Sequence, residues 1–277
     1  MRSRFAILAV MAAVLPAGCT SEAAPSTSRV LRLAVTTSTR DSGLMDILVP
    51  AFEQQHSARV NVIAAGTGKA LKLGESGEVD LVIVHSRSDE DAFMEAGHGI
   101  RREDVMYNSF EIVGPPADPA GMGSMEAANA LRQIAVSGSR FLSRGDNSGT
   151  HKRELLLWEA TGGRPEWDGY VEVGQGMGRT LTMADQMQGY ALTDRGTWMA
   201  MRKSIDLIPL AAPSAELRNP YGIIVVDPGK NDLINARLAT AFVDFIISPQ
   251  AQRLIMDFKV QGESLFYPLR LPDNESP

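Results

Sequence analysis

"VLRLAVTTSTRDSGLMDILVPAFEQQHSARVNVIAAG", residues 30–66, decides the fold. It opens on a strand-like run, Val30 to Val35, apolar but for Arg32, that passes into the polar turn Thr36-Thr37-Ser38-Thr39. Residues 43–57 then show helical periodicity, which sets Leu44, Ile47, Leu48, Ala51 and Phe52 on one face. Residues 59–66 return to a strand pattern, followed by the small-residue turn "GTGKAL". "VDLVIVHS" (79–86) is a third strand, apolar throughout its middle, as a parallel strand buried on both faces must be. Strands alternating with helices predict an α/β fold with right-handed crossovers.

The alternation continues downstream. "FEIVGPP" (110–116) and "NPYGIIVVDP" (219–228) are strand-like and bounded by turn residues. Between them lies a segment with its own helices, including "KRELLLWEATGG" (152–163), and after them the helix-like "INARLATAFVDFIIS" (234–248). Residues 110–116 and 219–226 are therefore read as two crossings between two α/β lobes. Lobe 1 would hold residues 30–112 and 221–270, and lobe 2 residues 113–220. No internal repeat interrupts this pattern.

The N-terminus stands apart. "MRSRFAILAVMAAVLPAGC" has Arg2 and Arg4, an apolar run from Phe5 to Leu15, and small residues before Cys19, the single cysteine. This is a secretory signal, residues 1–19, followed by a polar linker, 20–29; the apolar run is too short to span a bilayer. Cys19 has two readings: a bacterial lipoprotein processing site, with Pro16 where Leu is usual, or the end of a plain signal peptide. Both place the mature chain in the periplasm or on the extracytoplasmic membrane surface, without an internal disulfide. Removing Arg2 and Arg4 takes the formal charge from −6 to −8. So acidic a body lacks the basic footprint of a nucleic-acid binder, but it leaves room for a small anion held locally.

Ligands of α/β sheets bind beyond the carboxyl ends of strands, often at helix N-termini. Two turns lie there: Thr36–Thr39, and "SRGDNSGTHK" (143–152), ahead of a helix beginning near His151. Unpaired N–H groups and the positive dipole end make such a place an anion site. Ser148 and Thr150 add hydroxyl donors, Gly149 permits close approach, and Arg144 supplies a forked, permanent cation that Asp146 can orient. Each turn alone is equally a helix cap; together, one per lobe, they favour an anion between lobes. Thr67 stands open between cleft donor and simple turn, and His85 between cleft lining and structural histidine. Thr180 and Thr182, in "GQGMGRTLTMAD" (174–185), are donors or caps, and Asp194 with Arg195 reads as a local salt bridge.

These motifs resemble the periplasmic tungstate-binding components of ABC importers. The stretches "TTST", "VIAAGTGKALKLGESGEVDLVIVHSR", "RREDVMYNSFEIVGPP", "SRGDNSGTHKRELLLW", "GQGMGRTLTMAD", "LTDRGTW", "NPYGIIVV" and "LFYP" match in order over about residues 31–268. The resemblance implies a type II periplasmic binding protein fold: two α/β lobes, a two-strand hinge and a closing cleft. It implies that Arg144, Ser148, Gly149 and Thr150 hold an oxyanion from one lobe and Thr37 and Ser38 from the other; Thr67 and His85 are further candidates for the ligand-binding set on their place beside the strands alone. Val35 stands where the first Thr of the family's Thr-Thr-Thr-Ser motif is expected. The implied ligand is tungstate, or molybdate; the implied partner is an inner-membrane permease. Neither cofactor nor metal is implied beyond tungsten as the oxyanion, and a monomer without enzymatic activity is expected.

Tungstate is fully deprotonated near neutrality and needs donors only, whereas phosphate gains from a carboxylate acceptor. The third strand ends "VIVHS", without Asp or Glu, which argues against phosphate. Other tetrahedral oxyanions (molybdate, sulfate, phosphate) are the near alternative. A hydrolase on the same fold, with Ser148 as nucleophile and His151 as base, is the alternative of a different class.

Overall fold

The computed structural model describes residues 29–271. The signal segment, Cys19 and the linker up to residue 28 lie outside the described residues. The chain begins with β1 (Val30–Thr36), a short helix α1 (Thr37–Asp41) and α2 (Met45–His56). Then come β2 (Arg59–Ala65), α3 (Thr67–Glu75), β3 (Leu81–Val84) and α4 (Arg87–Glu95). β2 and β3 both pair parallel with β1, one on each side, as crossover connections require. All four residues of β3 are buried.

α2 packs through Leu44, Met45, Leu48 and Phe52. Ile47, expected on that face, is 40% exposed. The stripe is turned toward Met45, which takes the buried place. "GTGKAL", read as a turn, is the first part of α3, with Gly66 as its N-cap.

The next strand, β4 (Gly99–Gly114), is the axis of the molecule. The apolar pattern predicts it only over 110–116. It starts eleven residues earlier because "RREDVMYNS" hides its strand character: Arg101, Arg102, Glu103 and Asp104 give no apolar alternation, and the ladder to a distant strand holds them extended. That partner is β9 (Arg218–Val226), antiparallel to both β3 and β4. The charges are matched locally: Arg102 Nη2 lies 2.6 Å from the buried Glu90 carboxylate and 2.7 Å from Asp104.

Between β4 and β9 lie α5 (Ala127–Val136), β5 (Phe141–Ser143), α6 (Gly149–Ala160), β6 (Tyr170–Glu172) and α7 (Met177–Gln186). They are followed by β7 (Ala191–Asp194), α8 (Arg195–Met201) and β8 (Ile208–Pro209). α9 (Ala236–Ile246), α10 (Pro249–Asp257) and the two-residue strands β10 (Lys259–Val260), β11 (Glu263–Ser264) and β12 (Tyr267–Pro268) close the chain. The main sheet runs β2-β1-β3-β9-β4-β12.

β4 changes partner at one peptide bond. Ser109 is its last residue opposite β9, facing Arg218; Phe110 is its first opposite β7, facing Asp194. The largest core cluster runs across that switch, joining Leu33 and Ile83 of the first lobe to Leu142, Leu181 and Trp198 of the second, and two smaller clusters lie one in each lobe. Leu33, Val35, Ile83, Phe52 and Phe242 pack on one face of the first sheet, and Ala34, Val82, Phe93 and Ile224 on the other. Ile112, Leu131, Ile134, Phe141, Trp158 and Tyr190 pack together in the second lobe. Each fully buried Val, Leu, Ile or Phe among them contributes roughly 1.5–3 kcal/mol. The fold is thus the two-lobed α/β architecture, joined through β4 and β9.

Candidate functional site: a cleft between the lobes

A cleft of about 920 Å³ opens between the two bodies, and a chamber of about 190 Å³ lies at its inner end. Four helices present their first turns to the cleft. Thr37 and Ser38 come from α1, Thr67 and Gly68 from α3, Gly149 from α6, and Met177 and Gly178 from α7. First-turn N–H groups have no partner within their helices, so all four ends offer donors and positive dipole charge. Glycine at Gly66, Gly149, Gly176 and Gly178 keeps this wall low enough for a ligand to reach the backbone.

All eight residues singled out in the sequence come together here. Thr37, Ser38, Thr67, His85, Arg144, Ser148 and Gly149 line the outer cleft; Thr150 lines the inner chamber with Ser38, His85, Arg144 and Gly149. The cap reading of the two turns also holds. Thr36 caps α1, accepting from the Thr39 N–H, and Ser148 caps α6, accepting from the His151 N–H at 3.3 Å. α6 starts at Gly149, two residues before the expected His151. Cap and donor are compatible. An N-cap hydroxyl spends a lone pair on the helix and keeps its proton.

Arg144 is fixed by Asp146, as expected: Nη2 donates to Oδ2 at 2.5 Å. Asp146 Oδ1 accepts the Ser148 N–H at 3.1 Å. Burial opposes ionisation of Asp146, but the hydroxyl and N–H of Ser148 and the guanidinium outweigh it and hold the carboxyl below its usual range. Arg144 Nε is buried and has no partner. So is His85 Nδ1. A buried donor without a partner is expensive, about 1–3 kcal/mol and more when charged, and both lie in the wall of the chamber.

Val35 is fully buried in the first-lobe core, between Ala64 and Ile83 of the neighbouring strands. Its side chain faces away from the cleft. The position therefore offers a ligand only backbone, and the departure from Thr leaves the cleft surface unchanged.

Three expectations are corrected. Asp194 does not pair with Arg195. Arg195 donates to Glu111 at 2.7 Å and to Glu263 at 2.9 Å, while Asp194 caps α8 by accepting from the Thr197 N–H at 2.8 Å and hydroxyl at 2.6 Å. Thr180 and Thr182 donate to carbonyls of their own segment, Gly176 and Gly178, and supply nothing to the ligand wall. The cleft is also richer in carboxylates than "VIVHS" suggested: Asp41 and Asp89 line it, and Asp194 lies in the inner chamber.

Several site features left little trace in the sequence. Asn219 Nδ2 donates to Asn108 Oδ1 at 2.8 Å, and Asn108 Nδ2 donates to the Tyr221 hydroxyl at 3.1 Å. This buried chain crosses β4 and β9 beside the partner switch and ends under the chamber. Burial foremost, with Asp194 nearby, pushes the Tyr221 hydroxyl far above its usual range. Lys152 on α6 donates to both oxygens of Asp89 on α4, at 3.1 and 2.9 Å, across the cleft mouth. The hydrolase pairing is not formed: His151 Nδ1 accepts the Asn147 N–H at 3.0 Å, and Ser148 meets His151 through the backbone.

A two-lobed α/β chain, joined by two strands and lined by helix N-termini around an arginine whose buried Nε has no partner, has the architecture of a periplasmic binding protein. Comparison with known proteins agrees. The PBP superfamily domain matches residues 21–250. The tungstate-binding protein TupA of Peptoclostridium acidaminophilum is 46% identical over 241 residues, covering 85% of this chain and 84% of that protein. The solved structure of the tungstate-binding protein TupA from Desulfovibrio alaskensis G20 superposes with a TM-score of 0.83 at 43% identity, covering 87% of this chain and 99% of that one. That of the tungstate ABC transporter from Geobacter sulfurreducens gives 0.74 at 48% identity, covering 83% and 98%. The chain belongs to the PBP superfamily and, within it, to the family of the TupA proteins.

Proposed function

We propose that this protein captures tungstate, with molybdate as the close second, outside the cytoplasm and hands it to an ABC permease. It acts as a monomer and catalyses no reaction. The two lobes close on the anion about β4 and β9, where β4 changes partner between Ser109 and Phe110. Arg144 carries the reading: its buried Nε is an unspent charged donor in a chamber lined by helix N-termini. Thr37, Ser38 and Thr67 donate from the first lobe; Ser148, Gly149 and Thr150 donate from the second. Charge-assisted hydrogen bonds are each worth roughly 1.5–3 kcal/mol, so about seven support nanomolar binding after closure takes its share.

One observation favours a second reading. Asp194 at the inner end can accept a proton-bearing oxygen, which suits hydrogen phosphate. Against this, the Thr197 N–H and hydroxyl already occupy one oxygen each. Calorimetric titration of the ligand-free mature protein with tungstate, molybdate, sulfate and phosphate decides. Tight tungstate binding beside feeble sulfate and phosphate binding is expected; a phosphate preference would transfer the role to Asp194, and no binding would end the anion reading.

A further inference from the structure

The charge of the cleft poses a problem for a dianion. Lys69, Arg144 and Lys152 are its cations; Asp41, Asp89 and Asp194 line it, and Asp146 holds Arg144. Three positive charges thus face four negative ones. Lys152 is bound by Asp89 and Arg144 by Asp146. A doubly charged anion adds two more negatives to a wall already negative by one. Helix N-termini offset part of this, each equivalent to roughly half a charge. A further positive charge inside the chamber would complete the compensation.

His85 is the group placed to supply it. It follows β3 directly and lines both the outer cleft and the inner chamber. Its ring lies 4.7 Å from that of Tyr221, and its Cε1 is 3.8 Å from where a Cβ on Gly149 would sit, at the first residue of α6. Nδ1 is buried and unpartnered. The ionisable neighbours are Asp194 from β7, Tyr221 from β9, Arg144 with Asp146 ahead of α6, and Asp89 with Lys152 at the mouth. Burial disfavours a charged imidazole and outweighs the Asp194 carboxylate and the hydrogen bonds of Asn219 and the backbone that favour it, so the His85 pKa is pushed down and the ring is neutral near pH 7 without ligand. His151 is a distinct case, its Nδ1 engaged by the Asn147 N–H.

We propose that His85 takes up a proton as the oxyanion enters, so that the site binds a dianion together with one proton and thereby discriminates dianions from monoanions. The inference rests on the oxyanion reading above. The proton comes from solvent, since tungstate has none to give: one N–H bond forms on the imidazole, and the imidazolium donates to an anion oxygen. A dianion within contact distance raises the imidazole pKa strongly in a site shielded from water; a monoanion does so by about half as much. Between the free and bound pKa values, affinity then falls about tenfold per unit rise in pH.

Proton uptake is read directly by calorimetry of the mature protein with sodium tungstate at pH 7.5, in several phosphate-free buffers of different ionisation enthalpy. The apparent enthalpy should change linearly with the buffer value, with a slope near one proton per anion. His85→Gln should bind tungstate more weakly with the slope gone, while Asp194→Asn and His151→Gln keep it. Tungstate binding with zero slope in the wild type overturns the proposal and leaves the ligand reading standing. A slope that survives in His85→Gln, or vanishes only in Asp194→Asn, overturns it too. Failure of the wild type to bind any oxyanion overturns both. Ring-nitrogen NMR shifts of the wild type test the same point without a variant: His85 must move from neutral to imidazolium on adding tungstate, and an unmoved neutral signal sinks the idea.

Discussion

Arg144 and Ser148 share one acceptor: Asp146 takes the guanidinium on Oδ2 at 2.5 Å and the Ser148 N–H on Oδ1 at 3.1 Å. The cation and the helix start are thus locked into one rigid unit. The fork allows this. One arm of Arg144 is tied to Asp146 while Nε stays in the chamber. Arg144→Lys supplies one compact charge that cannot do both. Tungstate affinity should fall at least tenfold by calorimetry, with thermal stability nearly unchanged; equal affinity would remove Arg144 from the site.

Ser148 has two duties that substitutions can separate. As N-cap of α6 it contributes about 1 kcal/mol to stability, and its hydroxyl is a donor to the cleft. Ser148→Ala should lower both the melting temperature and the affinity. Ser148→Asn, an equally good cap, should restore the melting temperature and leave binding weak. Recovery of both would show that the hydroxyl acts only as a cap.

Val35 tests what the motif position is for. Its side chain is buried among apolar neighbours, so Val35→Thr places a hydroxyl where water cannot reach. Denaturant titration should show a loss of about 1–3 kcal/mol, with tungstate affinity unaltered. A gain in affinity would mean that the side chain does reach the ligand.

The Asp89–Lys152 pair bridges the lobes at the mouth, half-exposed on both sides. Exposed pairs are worth at most about 1 kcal/mol, so Asp89→Ala should speed tungstate release by up to about fivefold, less at high salt. Burial works against ionisation of Asp89, but the Ser86 hydroxyl and Lys152 hold its pKa below the usual value. A carboxylate with a depressed pKa stabilises above its ordinary pKa and loses that as pH falls through the lowered one. Stopped-flow release of the wild type should therefore accelerate at acid pH toward the rate of the variant, while the variant shows less acceleration.

Gly222 on β9 has no room for a side chain: a Cβ there would collide with Glu90 Oε2. Gly222→Ala must displace Glu90 from Arg102 in a buried pair. Breaking such a pair costs about 3–5 kcal/mol, so the midpoint of urea unfolding should drop sharply. A change below about 1 kcal/mol would show that β9 shifts to make space.

How far the sequence could be read varied with the locality of the signal. The first lobe's strands were legible because Leu33–Val35, Val62–Ala65 and Leu81–Val84 carry their own apolar runs. The α6 and α1 turns were legible because caps and anion donors use the same residue types within four positions. The early half of β4 was not, since "RREDVMYNS" is held extended by a strand more than a hundred residues away. Nor was Asp194, whose partner looked like the adjacent Arg195 until β4 and β11 offered Glu111 and Glu263 to that arginine.

By itself the sequence determined the α/β class and, as expectations, the two-lobe division and the two polar turns that meet at the cleft, while it left Thr67 and His85 open. Hydrophobic period and helix-start chemistry are short-range properties, written into neighbouring residues. Only the tertiary structure decided where β4 changes partner, that Val35 faces the core, that Asp89 meets Lys152 across the mouth, and that carboxylates and His85 share the chamber with Arg144. Those facts depend on which surfaces face each other once the lobes are joined, and on the burial that sets the charge of each group there.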